Sequence, residues 1–137
     1  VGLILDSSVV IAAERLGQTA YHMLEAIGQL KEDPEIALSV VTILELAHGI
    51  TRADTPQRRA GRQQFLDDLL AGMPVHPVTV AIALRAGQTD AQMQAAGKRI
   101  AVTDLLIGST ALELGYSVAT SNVRHFANIP DLVIEQL

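Results

Sequence analysis

The stretch that most constrains the fold is Leu3-Ile-Leu-Asp-Ser-Ser8, followed by the helix-compatible run Val9 to Arg15. Leu3 to Leu5 is short and continuously apolar, the pattern of a strand buried on both faces of a parallel sheet. Asp6 ends that run, and Ser7 or Ser8 is placed to cap the next helix by accepting a backbone N–H of its first turn. A carboxylate at the carboxyl end of a central strand lies where open α/β sheets bind their ligands. What such a chain can do then depends on whether other acids converge on the same point.

The remaining chain alternates helix and strand signals. Thr19 opens a helix to about Leu30 with Met23, Leu24, Ile27 and Leu30 on one face, and Lys31-Glu-Asp-Pro34 turns the chain. Ile36 to Val41 reads as a second strand and Thr42 to about Arg52 as a helix. Thr55-Pro56 pairs a threonine cap with proline at the first helical position. The helix it starts carries Phe65, Leu66, Leu69 and Leu70 at core spacing and stops near Gly72. Val75 to Val78 is a short strand whose Pro77 marks a sheet edge or strand end. Helices follow over Thr79 to Ala96 and Thr103 to Gly115, the second with threonine as cap, Asp104 in its first turn and glycine just past its end. Strands at Ser117 to Thr120 and Leu132 to Glu135 complete the chain. This order predicts a single-domain α/β/α sandwich, residues 1–137, around a short, mostly parallel central sheet of about five strands.

Composition narrows the class. Hydrophobic residues make up 49% and charged ones 18%, as in a compact globular protein. Cysteine is absent, which excludes a disulfide framework and a thiolate metal site and fits a reducing compartment. The longest uncharged run, Leu69 to Leu84, contains Pro74 and Pro77 and is too short to span a bilayer. The expectation is a cytoplasmic protein with no membrane segment. A formal net charge of −5 gives no overall signal for nucleic acid, although clustered catalytic acids would themselves contribute to it.

Asp6, Glu45 and Asp104 each stand where a strand or loop hands over to a helix, and Asn122 follows the Ser117 to Thr120 strand. Each acid has a structural explanation when taken singly. Asp6 can cap, Glu45 can close a Thr42-x-x-Glu45 capping box, and Asp104 can complement the helix dipole, worth about 0.3–1 kcal/mol. Taken together, they should meet on one rim of a parallel sheet. Two carboxylates about 5 Å apart repel by roughly 3 kcal/mol at an effective dielectric near 20. Three in one pocket therefore require raised pKa values or a cation, and oxygen-only ligands select a hard ion, Mg²⁺ or Mn²⁺. His22, His48, His76 and His125 show no ligand spacing and read as surface or packing residues. Arg58, Arg59 and Arg62 read as a solvated helix face, whereas Arg124, beside Asn122, is better placed to touch a phosphate. The aromatics Tyr21, Phe65, Tyr116 and Phe126 are too few for a base-stacking platform, and Phe126 reads as core.

At these residues the chain resembles the PIN-domain family, specifically the VapC-type toxins of bacterial toxin–antitoxin modules. The likeness is carried in order by Leu3-Ile-Leu-Asp-Ser-Ser8, by Ser39-Val-Val-Thr-Ile-Leu-Glu-Leu-Ala-His-Gly49, by Asp104-Leu-Leu-Ile-Gly-Ser-Thr-Ala-Leu-Glu-Leu-Gly115, and by Thr120-Ser-Asn-Val-Arg-His-Phe126 with Ile129-Pro130. The resemblance implies an endoribonuclease dependent on Mg²⁺ or Mn²⁺ that cleaves RNA phosphodiesters with metal-activated water. Asp6, Glu45 and Asp104 would hold the metal, and Asn122 falls on a fourth catalytic position that is often aspartate in the family. Ser8, Thr120 and Ser121 would stand behind the ligands or serve as caps and strand-end hydrogen bonds. The resemblance also implies a cognate antitoxin protein and a homodimer formed through helical faces. Apolar residues in Met23 to Leu30 and Leu46 to Ile50 allow such contacts. Receiver domains and haloacid-dehalogenase-type phosphatases fit poorly, because the first turn lacks their second acid. The alternative from another class is a non-catalytic PIN-like module that binds RNA or protein, with the acids acting only as helix caps.

Overall fold

The computed structural model describes residues 2–137. Five strands, β1 (Gly2–Leu5), β2 (Glu35–Ser39), β3 (Val75–His76), β4 (Ser117–Thr120) and β5 (Ile134–Gln136), form one sheet in the order β3-β2-β1-β4-β5. Every neighbouring pair is parallel. Seven helices connect them: α1 (Ser7–Arg15), α2 (Ala20–Leu30), α3 (Val40–Thr51), α4 (Pro56–Gly72), α5 (Val80–Ala95), α6 (Val102–Leu114) and α7 (Val123–Phe126).

Central β1 shows why the sheet is covered on both sides. Leu3 and Leu5 point into one core with Val9, Met23, Ile27, Leu46, Phe65 and Leu69, contributed by α1 to α4. Ile4 points the other way, into a core with Val118, Ile107, Ala111 and Phe126, contributed by β4, α6 and α7. Successive strand residues face opposite sides of a sheet, so a run with no polar member demands a helical layer on each. Each fully buried Leu, Ile or Phe contributes roughly 1.5–3 kcal/mol. The sandwich is the expected one, and the sheet is wholly parallel where a mostly parallel one was expected.

Several local signals hold. Thr19, Thr55 and Thr79 cap α2, α4 and α5 by accepting the N–H of His22, Arg58 and Ile82. Gly115 ends α6 at φ +70, a conformation that side-chain-bearing residues rarely adopt, and it frees the Tyr116 N–H to reach Ala111 O at 2.8 Å. Phe126 is fully buried.

Other signals shift. The capping assigned to Ser7 or Ser8 does not occur, because both lie inside α1 and Asp6 occupies the N-cap position. Helix α6 starts after Ala101 instead of Thr103. Helix α3 starts two residues early because Ser39, fully buried, accepts the Val41 N–H at 3.1 Å. Strand β2 consequently ends at Ser39 and not Val41. Leu70 is exposed, although its spacing put it in the core. Of the apolar residues in Met23 to Leu30 and Leu46 to Ile50 that allow partner contacts, Met23, Ile27, Leu46 and Ile50 are buried in the chain's own core and Leu30 is exposed. No helix among the described residues is long and apolar enough to cross a membrane.

Candidate active site

The sheet reverses its winding between β1 and β4, which are neighbours although far apart in sequence. A crevice opens beyond the carboxyl ends of strands at such a point. Asp6 follows β1 there, and its backbone N–H extends the ladder to Ala119 O at 2.9 Å.

The Asp6 side chain is buried, at 4% exposure, and held from behind. Ser8 Oγ donates to Asp6 Oδ2 at 2.6 Å and Thr120 Oγ1 donates to the same oxygen at 2.9 Å. Each hydroxyl also accepts a backbone N–H, Ser8 from Ser121 at 3.1 Å and Thr120 from Asn122 at 2.9 Å. The turn after β4 is thereby fastened to the turn after β1, and the rotamer of Asp6 is fixed. Both hydroxyls fall on Oδ2, which leaves Oδ1 for other work.

Glu45 enters from the second turn of α3. The capping box does not form: Thr42, fully buried, turns its hydroxyl to Leu5 O at 3.3 Å, and Glu45 Oε1 is buried without any hydrogen-bond partner. Burial pushes the Glu45 carboxyl above its ordinary value, and the Asp6 charge pushes it further. The Ser7 hydroxyl opposes that rise, Asp104 adds to it, and His125 opposes it again. Asp104 lies in the first turn of α6 with its side chain 14% exposed. Burial and then Asp6 raise its carboxyl, and His125 lowers it. The three acids therefore sense one another across the crevice. None caps a helix through its side chain: α1 and α6 have no side-chain cap bond, and α3 is capped by Ser39.

Asn122 is the N-cap of α7 and exposed, with no side-chain cap bond. Ser121 and Arg124 are also exposed on this rim. His125, expected to be a surface or packing residue, is exposed and also borders the site, its Nδ1 standing 3.7 Å from Asp104 Oδ2. The available signal was its position three residues after Asn122, which one helical turn brings back to the same rim. Arg58, Arg59 and Arg62 are engaged in structural contacts, although Arg62 also lines the cleft beside Glu45. Arg58 pairs with Asp54, Arg59 donates to Ala53 O, and Arg62 donates to Gly49 O at 2.6 Å.

Among the described residues, no three of His, Asp and Glu close into a ready ligand set, as like charges facing one another resist closure. The donors nevertheless suit a hard divalent cation, being carboxylate and amide oxygens with one carboxylate oxygen orphaned in a buried position. Beside Glu45, a cleft of about 230 Å³ runs between α1, α3 and α4, floored by Val10, Leu46, Phe65 and Leu66 and rimmed by Arg15 and Arg52.

An acid crevice at the winding reversal of a parallel sheet, with orphaned carboxylate oxygen and helices on both faces, defines a class of α/β hydrolytic domain. Comparison with known proteins makes the assignment specific. The PIN domain family model matches residues 3–132, and the chain belongs to that family. It is 35% identical to Ribonuclease VapC10 of Mycobacterium tuberculosis over 90% of this chain and 85% of that one. It is 26% identical to Ribonuclease VapC2 of Rickettsia felis over 96% of this chain and 94% of that one. The fold superposes with a TM-score of 0.85 on a chain of Rickettsia felis VapBC2, solved bound to a DNA fragment from its promoter, covering 100% and 99% of the two chains at 22% identity.

Proposed function

We propose that residues 1–137 form a single PIN-like domain acting as a metal-dependent endoribonuclease, the toxin of a VapBC-like toxin–antitoxin pair. The observation that carries the reading is Glu45: its oxygen is buried, unpartnered and repelled by two other acids, and it serves no capping role. The Ser7 hydroxyl opposes that burial and repulsion without cancelling them, and Oε1 keeps no donor of its own.

Asp6, Glu45 and Asp104 would hold Mg²⁺ or Mn²⁺, with Asn122 contributing an uncharged amide oxygen. When bound, the cation acidifies a water and offsets charge developing on the scissile phosphate. Ser8 and Thr120 hold Asp6 so that Oδ1 is presented without rotameric search. Arg124 supplies positive charge, and His125 an imidazole beside Asp104, at the same edge, where phosphate oxygens approach. The names of the relatives support RNA as substrate, and the solved Mycobacterium tuberculosis member of the VapBC family of toxin–antitoxin systems supports a cognate antitoxin as partner. The apolar cleft beside Glu45 offers that partner a route to the acids. Exposed Val40 and Leu44 on α3, and Val80 and Leu84 on α5, support a homodimer.

The test is paired. Wild-type protein should take up Mn²⁺ by calorimetry and cleave RNA, and Asp6→Asn or Asp104→Asn should lose both while retaining its circular dichroism. Full cleavage by either variant overturns the site. Folded protein that never takes up Mn²⁺ favours the binding-module alternative.

A further inference from the structure

We infer that Lys98, Arg99 and Arg124 form a cationic strip that takes the phosphates of single-stranded RNA on the Asp104 side of the acid centre. The inference rests on the ribonuclease reading and adds Lys98 and Arg99 to it.

The first support is how the chain spends its positive charge. Lys31, Arg58 and Arg85 are committed to Glu135, Asp54 and Glu113. Arg59 and Arg62 donate to backbone carbonyls. Arg15 and Arg52 line the apolar cleft together with Glu14 and Glu45. Lys98, Arg99 and Arg124 remain, all exposed and none within salt-bridge distance of a carboxylate among the described residues.

The second support is where these three lie. Helix α5 ends at Ala95, and two residues on, at Gly97, φ +74, the Gly97 N–H reaches Gln94 O at 3.0 Å and the Lys98 N–H reaches Met93 O at 2.8 Å. This glycine cap turns the chain sharply and launches the exposed segment 98–101, which delivers Asp104 in the first turn of α6. Lys98 Nζ stands 3.4 Å from Asn128 Oδ1, and Asn128 lies one turn beyond Arg124. The two segments thus meet side by side. A polar cleft of about 550 Å³, lined by Gln94, Lys98, Arg99 and Val102, with Asp90 also on its wall, runs between the end of α5 and the start of α6. His125, the neighbour of Arg124, brings the same segment to the Asp104 carboxylate, its Nδ1 3.7 Å from Oδ2.

The physical need is plain. A chain of formal net charge −5 with three acids at its centre repels a polyanion. Without local cations beside the acids, the RNA would not be held while one of its phosphates reaches them. The other flank, floored by apolar side chains, suits protein better than phosphate.

The test is the salt dependence of binding to a labelled single-stranded oligouridylate, with Ca²⁺ replacing Mg²⁺ to suppress cleavage. Each phosphate contact on a single strand contributes about 0.7 to the slope of log K against log salt. Lys98→Gln/Arg99→Gln should flatten the slope by about 1.4 and raise KM for cleavage several-fold. Arg58→Gln/Arg85→Gln removes the same charge elsewhere and should leave the slope unchanged. Lys98→Arg/Arg99→Lys should retain the wild-type slope, and near-identical melting of all variants excludes misfolding. An unchanged slope in Lys98→Gln/Arg99→Gln, or an equal flattening in Arg58→Gln/Arg85→Gln, overturns the strip. If wild-type protein binds RNA but does not cleave it, the nuclease reading fails while the slopes still decide this inference.

Discussion

Glu45→Gln separates stability from activity more sharply than any other single change. Position 45 lies beyond the first turn of α3, so removing its charge forfeits no helix-dipole stabilisation, and the glutamine is nearly isosteric. What changes is repulsion. An ionised Glu45 faces Asp6 and Asp104, and a pair of charges about 6–8 Å apart at an effective dielectric near 20 costs roughly 2–3 kcal/mol. Screening by solvent at the crevice mouth and relaxation of the acids reduce this, leaving a net gain of about 1 kcal/mol, or about 3–4 °C in melting temperature for a chain of this size.

The gain must depend on pH in one direction. Below the ordinary glutamate value of 4.5 the group is protonated in both folded and unfolded chains, and the two proteins should melt together. As pH rises, the unfolded chain ionises first while the raised folded-state value holds the proton, so wild-type stability falls relative to the variant. The difference reaches its full size once pH passes the raised folded-state value. Thermal melts from about pH 4 to 8 without added metal measure it. Added Mn²⁺ should reverse the order, because a ligand that binds only the folded state stabilises it. Cleavage should drop at least tenfold, since even residues behind metal ligands cost about 10–100-fold when altered. A variant that melts lower at neutral pH, or cleaves RNA at the wild-type rate, would refute the argument.

Three further outcomes follow from the same geometry. Thr120→Val keeps the shape but strips Asp6 of a donor and the Asn122 N–H of an acceptor; it should cost about 1–3 kcal/mol in denaturant melts and reduce cleavage, with Thr120→Ser restoring both. Asp104→Asn should abolish cleavage with little change in melting, because relief of repulsion offsets the lost dipole contribution of about 0.3–1 kcal/mol. Gly108→Ala brings a methyl 2.7 Å from Ile129 Cδ1 and 3.3 Å from Leu132 Cδ2. Overpacking of about 1–3 kcal/mol outweighs a helix-propensity gain near 1 kcal/mol, so equilibrium unfolding should show a net loss of about 1 kcal/mol.

The order of elements was legible because their causes are local. Leu3 to Leu5 and Ser117 to Thr120 are short runs that only a covered parallel sheet accommodates, and Thr19, Thr55 and Thr79 announce their helices by chemistry that needs no tertiary partner. The boundaries that moved were set by tertiary contacts. Val40 and Val41 read as strand because they are β-branched, yet Ser39 is buried where it can cap, and Thr42 is drawn away to Leu5 O. Helix α7, only four residues long, is too short to show a period. That is why the sequence places His125 on the surface, where it is, without showing that it stands beside Asp104.

The misread capping box is also the most informative difference. Had Glu45 closed onto the Thr42 N–H, its carboxylate would have been satisfied locally and its presence would need no other explanation. Because Ser39 takes over the cap, Ser7 and His125 offset only part of the burial and repulsion that Glu45 and Asp104 experience. A glutamine or leucine at position 45 would fold at least as well. The acid is a net cost to the resting protein, and only binding of positive charge in the crevice turns that cost into affinity. The same crevice presents Asp6 on two hydroxyl donors that fix one oxygen and leave the other free, an expense of design that capping alone would never require.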